Sequence, residues 1–429
     1  MLDINLFREN PEIIRADFDK RGLPHDRIDR VIELDRIIYE KQHHNSQLRK
    51  EKNQAARGIG AAMKAGDKEG AEKIKAQVAN LGEEIENSDN EVKSATEERD
   101  RLMMSIPNIL HHDVPVGEDE SGNTVHMVKG EKPEFDFEPR AHNDIIEMNN
   151  WVDLERAAKV AGSRFFFLKG DLARLELALQ TYAVDFLRDR GYVFVQPPVM
   201  MNREAYEGVT DLSDFETVMY GITPDPYYMI ATSEHPLTSM FMKETIPAEK
   251  MPIKMVGVSP CFRREVGSHG KSDLGIWRVH QFTKIEQIII SDTEKSWDYH
   301  EELLTNCVDL WDSLGIHYEV VNICTGDMGT VASKKYDLEA WLPGAKQYKE
   351  IVSCSNCTDY QANRLQIRYG EPGHAKQPIA HTLNSTAVAT SRALVAIMEQ
   401  YQLEDGRVAI PEVLRPFMSG KEILEPCKF

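Results

Sequence analysis

Between residues 74 and 102 the chain repeats apolar positions in alternating steps of four and three. The series is Ile74, Val78, Leu81, Ile85, Ser88, Val92, Ala95, Arg99 and Leu102, and seven of the nine are apolar or alanine. That spacing is the seam of a coiled coil. Upstream, Leu34, Ile38, Leu48, Ala55, Ile59 and Ala62 mark a looser seam. Residues 27 to 104 are nearly free of proline, poor in aromatics and rich in Lys, Glu, Ala and Gln, which favours helix. Ala65-Gly66-Asp67 breaks the run. The pattern predicts two antiparallel helices of nearly forty residues, each about 57 Å long. They form a protruding hairpin that stops at Ile106-Pro107-Asn108.

Beyond the hairpin the periodicity changes. Residues 113 to 140, with Gly117, Gly122, Gly130, Pro133 and Pro139 among many charges, read as a linker with short strands. Asp171 to Arg190 gathers Leu172, Leu175, Leu179, Tyr182, Ala183 and Phe186 on one helical face. The runs YVFVQPPVMM, KMVGVSPCF, IEQIIIS and HYEVVNI read as strands that are not each followed by a helix. The expected class is therefore α+β: a helical coiled-coil hairpin, then an antiparallel sheet flanked by helices. The expected domains are residues 1–110, with the arm at about 27–104, and residues 111–429.

Composition narrows the setting. Among 429 residues, 41% are hydrophobic and 28% charged, as in ordinary globular proteins. No uncharged apolar run approaches membrane-spanning length, and the start MLDINLFRENPEII lacks a signal-peptide core, so a cytoplasmic location is expected. Six cysteines are too few for a disulfide scaffold. The net charge of −19 argues against nonspecific binding of nucleic acid by the whole molecule, and no DNA partner is expected. Within the arm, however, Lys41, Arg49, Lys50, Lys52, Arg57 and Lys64 face only one acidic residue, Glu51. A basic helix face suits a phosphate backbone, while a solvated coiled-coil flank is the plain alternative.

No P-loop, GxSxG elbow or HExxH occurs, so any phosphate chemistry must rest on arginines. The stretch FRREVGSHGKSDLGIWRVHQF at 262–282 supplies them. Arg263 and Arg264 close one strand, and Phe282 lies on the next with a stacking face for a base. Glu286 returns to the same sheet face four residues later.

These residues resemble motif 2 (about 256–290) of the class II aminoacyl-tRNA synthetases, and specifically of the seryl-tRNA synthetases. Gly191-Tyr192 through Pro198 resembles the dimer-forming motif 1 (about 171–200), and NSTAVATSRALVAIMEQYQ resembles motif 3 (about 380–402). ATSEHPL is similar to the serine-pocket loop, and KEIVSCSNCTDYQANR to the strand that holds metal and ATP. The opening MLDINLFRENPEIIRADFDKRG, the arm and the closing GRVAIPEVLRPFMSG also match, so the resemblance spans essentially the whole chain.

The resemblance implies roles. Arg263 sits between the serine carboxylate and the ATP α-phosphate, and Arg264 and Glu265 hold triphosphate and adenine. Phe282 stacks on the base beside Val279, and Arg392 grips the γ-phosphate. Glu350 and Ser353 coordinate Mg²⁺, with Ile351 and Val352 in the same ATP-lining segment. Thr232, Ser233, Glu234, Glu286, Asn384 and Thr386 form the serine pocket. The implied activity is a homodimeric serine–tRNA ligase that uses ATP and L-serine. Its acceptor is tRNA(Ser), with tRNA(Sec) a second candidate, and the arm reads tRNA shape. A site that hydrogen-bonds a hydroxyl rejects alanine by leaving buried polar groups unpaired, so no editing domain is expected.

Two rival readings are an amino acid:carrier-protein ligase and a non-catalytic coiled-coil RNA-binding protein. Cys354-Ser355-Asn356-Cys357 has no second CxxC to complete a zinc site, so no zinc is expected. His269, His280 and His381 read as loop or pocket polar groups. Ser385, Ala387, Ala389 and Ser391 stand where many relatives are glycine-rich, and Asn363 where many carry arginine. Residues 266 to 277 are expected to form a mobile loop that meets the tRNA acceptor end.

Overall fold

The computed structural model describes residues 1–211, 213–266, 275–371, 373 and 377–429. It separates into two units, Leu2–Ile106 and Pro107–Phe429, the latter with Met1. Among the described residues, no helix is long and apolar enough to cross a membrane.

In the first unit, short helices Ile4–Glu9 and Pro11–Lys20 precede α1 (Asp26–Lys64) and α2 (Lys68–Met104). The break falls where the sequence places it. Gly66 adopts φ +76°, and the Asp67 side chain caps α2 by accepting from the Gly70 amide. Leu34, Ile38 and Ala95 form a buried cluster with Val92 and Leu102 against it. The charged member of the seam, Arg99, is explained by its partner. It donates to Asp35 at 2.8 Å, and Asp35 also takes Arg8 at 2.7 Å. The same substitution of polar pairing for packing recurs at buried Asn45, which donates to Asp89 at 2.8 Å.

The basic face of α1 is smaller than the sequence suggests. Lys41 pairs with Glu91, and Arg49 with Asp89 at 2.7 Å, both across the hairpin. Lys50, Arg57 and Lys64 stand exposed, and Lys52 is half-buried.

In the second unit, eight strands among the described residues form one sheet. In chain order they are β1 (Thr124–Lys129), β2 (Val193–Val195), β3 (Ile253–Phe262) and β4 (Gln281–Ser291). They continue with β5 (Tyr318–Asn322), β6 (Lys334–Leu342), β7 (Gln347–Asn356) and β8 (His381–Ala389). The spatial order is β1-β5-β6-β7-β8-β4-β3-β2, antiparallel except for the edge pair β2 and β3. The segment read as a linker with short strands does contribute one, β1, which lies at the sheet edge. Val125 and Val128 on it remain exposed, so it lacks the alternation that marks a half-buried strand.

Helices α3 (Gly170–Arg188), α4 (Ser296–Ser313) and α5 (Thr390–Gln400) share the main core with one face of this sheet. In α3 the buried positions are Leu172, Leu175, Ala178, Leu179, Ala183 and Leu187, with Tyr182 and Phe186 packed at the margin. Of the expected mobile loop, residues 267–274 lie outside those described. Its end is not loop tip: Ile276 and Trp277 are buried in the core.

Candidate active site

The opposite face of the sheet floors a cavity of about 570 Å³. On β4, Phe282, Lys284 and Glu286 occupy alternate positions and all line it. Strand β8 adds Asn384, Thr386 and Ala389. The odd step from Thr386 to Ala389 is possible because the register shifts: Ile285 pairs with Val388 but Glu286 with Thr386, leaving Ala387 as a bulge. Strand β7 repeats the device. Leu338 pairs with Val352 and Glu339 with Glu350, so Ile351 is the extra residue. Glu350 and Ser353, three apart, would face opposite ways on a regular strand, yet both line the cavity.

At one end sits a polar cluster. Glu286 is 1% exposed, and its Oε1 accepts from the hydroxyls of Thr232 at 3.2 Å and Thr386 at 3.1 Å. The same oxygen is in ion contact with Lys284. Glu234 opens the short helix Glu234–Ser239 and accepts from Gln361 at 2.8 Å. Burial, and then the neighbouring Glu286 carboxylate, push its carboxyl up to about 7. Arg263 is anchored by Nε donating to the Ala231 carbonyl at 3.2 Å, with its guanidinium 5.5 Å from the Phe282 ring centre.

At the other end, Arg392 on the first turn of α5 donates to the Glu350 carbonyl at 2.8 Å and pairs with its carboxylate at 3.0 Å. Its guanidinium lies 5.4 Å from the Trp277 ring centre. Burial would raise the Glu350 carboxyl. Arg392, then Lys335, Arg263 and Lys284, outweigh it and hold the group below its ordinary range. Its side chain is nevertheless 46% exposed to the cavity, which leaves its oxygens reachable. Glu265 accepts from Arg278 at 3.0 Å, and Val279 is buried beside them.

The cavity therefore brings together Thr232, Glu234, Arg263, Glu265, Val279, Phe282, Glu286, Glu350, Ile351, Ser353, Asn384, Thr386 and Arg392. Three expected residues are not on its lining. Val352 belongs to the core, as strand alternation dictates beside Ser353. Ser233 is fully buried and its hydroxyl has no partner. Arg264 is exposed, and its amide donates to the Val218 carbonyl at 2.8 Å. Asn363 donates to Asp359 at 2.8 Å and is also off the lining. Cys354 packs in the core, whereas Cys357 lines the polar end. Burial raises both thiols.

Sequence reasoning missed Lys284, Trp277, Arg278, Lys335 and His235, all of which line the cavity. Only Lys284 carried a usable signal: it lies midway between Phe282 and Glu286 on one strand, so alternation places it on their face.

Comparison with known proteins agrees with this architecture. The family model of the seryl-tRNA synthetase N-terminal domain matches residues 1–110. That of the tRNA synthetase class II core domain (G, H, P, S and T) matches residues 221–401. The serine–tRNA ligase of Methanocorpusculum labreanum is 50% identical, over 99% of this chain and 100% of its own. That of Archaeoglobus fulgidus is 47% identical, over 98% of each. The crystal structure of seryl-tRNA synthetase from Pyrococcus horikoshii complexed with ATP superposes with TM-score 0.92 at 42% identity, covering 100% of both chains. The cytoplasmic serine–tRNA ligase of Naegleria fowleri in complex with AMP gives TM-score 0.87 at 38% identity, covering 99% of both. The chain belongs to the seryl-tRNA synthetase family, the serine–tRNA ligases of class II.

Proposed function

We propose that this cavity activates L-serine with ATP and then passes the seryl group to tRNA(Ser), with tRNA(Sec) as a further acceptor, in a cytoplasmic homodimer. The observation that carries the reading is that one cavity combines two sets of groups. The hydroxyls of Thr232 and Thr386, the carboxyls of Glu234 and Glu286 and the amide of Asn384 make one set, and Glu350, Ser353 and Arg392 the other. Arg263 lines the same space and is shared between serine carboxylate and α-phosphate.

The serine carboxylate is already ionised at neutral pH, so no general base is required for its attack on the α-phosphorus. Positioning and charge neutralisation supply the rate. The carboxylate oxygen forms a bond to phosphorus as the bond to pyrophosphate breaks. Arg263 and Arg392 offset the charge at the two ends of the phosphate chain. Phe282 offers adenine a flat face. The terminal hydroxyl of tRNA then attacks the mixed anhydride, loses its proton and releases AMP.

Glu350 and Ser353 supply a carboxylate and a hydroxyl on one side of β7, hard oxygens that suit Mg²⁺. The metal would add charge neutralisation at the phosphates. Exposed Lys50, Arg57 and Lys64 support backbone recognition of tRNA by α1. The exposed Val193 and Phe194 of edge strand β2 support a self-complementary dimer surface.

The test is ATP–pyrophosphate exchange with each of the twenty amino acids. Serine alone should support exchange, and Arg263→Ala should reduce it at least about 100-fold. Intact exchange in that variant would sink the assignment.

A further inference from the structure

The polar end contains a group that serine recognition by hydroxyls and carboxylates does not explain. Lys284 is 9% exposed, lines the cavity and contacts Oε1 of Glu286. Glu286 is more buried still, at 1%. An isolated carboxylate is costly at such depth unless a cation and hydrogen-bond donors accompany it. Three donors converge on one oxygen: Thr232, Thr386 and Lys284. Both hydroxyl donors thus take the oxygen that the ammonium contacts. A second carboxyl, Glu234, faces the same space and is pushed up to about 7, by burial first and the Glu286 charge next. The pocket thus holds two carboxyl groups, and the ammonium is in ion contact with Glu286.

We propose that Lys284 is a specificity-determining positioning residue, which by pairing with Oε1 holds the buried Glu286 carboxylate in the orientation that accepts an O–H from the amino-acid side chain. Serine supplies that hydrogen. Alanine does not, and leaves a buried anionic oxygen unpaired. Without the ammonium, the Glu286 carboxylate loses its cation partner and is free to turn away from the ligand, so the demand for a donor relaxes. The proposal rests on Glu286 as a serine ligand.

The experiment is ATP–pyrophosphate exchange with serine and with alanine, on the full-length protein and on Lys284→Met, Lys284→Arg and Glu286→Gln. Lys284→Met should raise the KM for serine about tenfold or more and lower the serine-over-alanine preference at least tenfold. The KM for ATP should stay within twofold. Lys284→Arg should recover most of both, because a guanidinium also pairs with a carboxylate. If the methionine variant does not fold, Lys284→Gln, which donates without charge, should show the same two losses. Serine KM and serine-over-alanine preference both within twofold of the parent overturn the proposal. So does an arginine variant as defective as methionine with ATP affected equally, which is the mark of a structural role. If Glu286→Gln leaves the serine KM unchanged, the serine-pocket assignment itself fails, and Lys284 falls with it.

Discussion

Replacing Arg392 with methionine keeps a long apolar stem and removes the guanidinium from the cavity. In the structure that guanidinium makes two contacts to Glu350, at 2.8 and 3.0 Å, and rests over Trp277. The ion pair is partly open to solvent, with the two side chains 23% and 46% exposed. Its loss should cost well under about 1 kcal/mol of stability, and the melting temperature should hardly move. The effect on ATP is larger. A hydrogen bond between a guanidinium and a phosphate oxygen contributes about 1.5–3 kcal/mol. At about 1.4 kcal/mol per tenfold, that raises the KM for ATP roughly 10- to 150-fold. Loss of a donor aimed at charge developing in the transition state adds about 10²- to 10³-fold in kcat. Serine-dependent ATP–pyrophosphate exchange at saturating serine reads both. A KM for ATP within threefold of the parent, with kcat/KM within fivefold, would refute the placement of Arg392 on the phosphates. A shift in the KM for serine alone would refute it equally.

Three further outcomes follow from the geometry. Because Glu234 holds its proton up to about 7 while an unfolded Glu loses it near about 4.3, folded stability should fall as pH rises through that window. Glu234→Gln should flatten that slope in thermal melts recorded from pH 4.5 to 7.5. Asp35 is held below its ordinary range, first by its hydrogen bond to Arg8 and also by Arg99. Its contribution is therefore present above about pH 4 and lost below it. Asp35→Asn should cost about 1–2 kcal/mol in the Leu2–Ile106 unit, read by amide hydrogen exchange. Replacing Lys50, Arg57 and Lys64 together by glutamine should leave pyrophosphate exchange unchanged while raising the KM for tRNA. The dependence of log KM on log salt should flatten by about 2–3, and an unchanged salt slope would remove α1 from the tRNA interface.

What the sequence made legible depended on repetition and alternation. The hairpin was readable because its seam recurs over many turns, and even its polar member Arg99 stands where the spacing requires, compensated by Asp35. The alignment of Phe282 and Glu286 followed from strand alternation, and Lys284 lay within reach of the same rule. Strand β1 was legible only as a short strand within a linker, because with Val125 and Val128 exposed it has no buried face to imprint its register or its place at the sheet edge. The pairing of α1 with α2 in charge was not readable: Lys41 and Arg49 look free in one dimension and meet Glu91 and Asp89 only across the hairpin. Trp277, placed by sequence in a glycine-rich charged run, is core because the chain turns inward after Gly275.

The bulges at Ile351 and Ala387 mean that the site is written in parity as well as in residue identity. Glu350 and Ser353 share a side only while an odd number of residues is inserted between the paired positions of β6 and β7. A single deletion there would preserve every proposed metal-binding and phosphate-binding residue and still turn one ligand into the core. In this fold, a gap of one is a more severe change than many substitutions, and an alignment that scores identities alone would not register it.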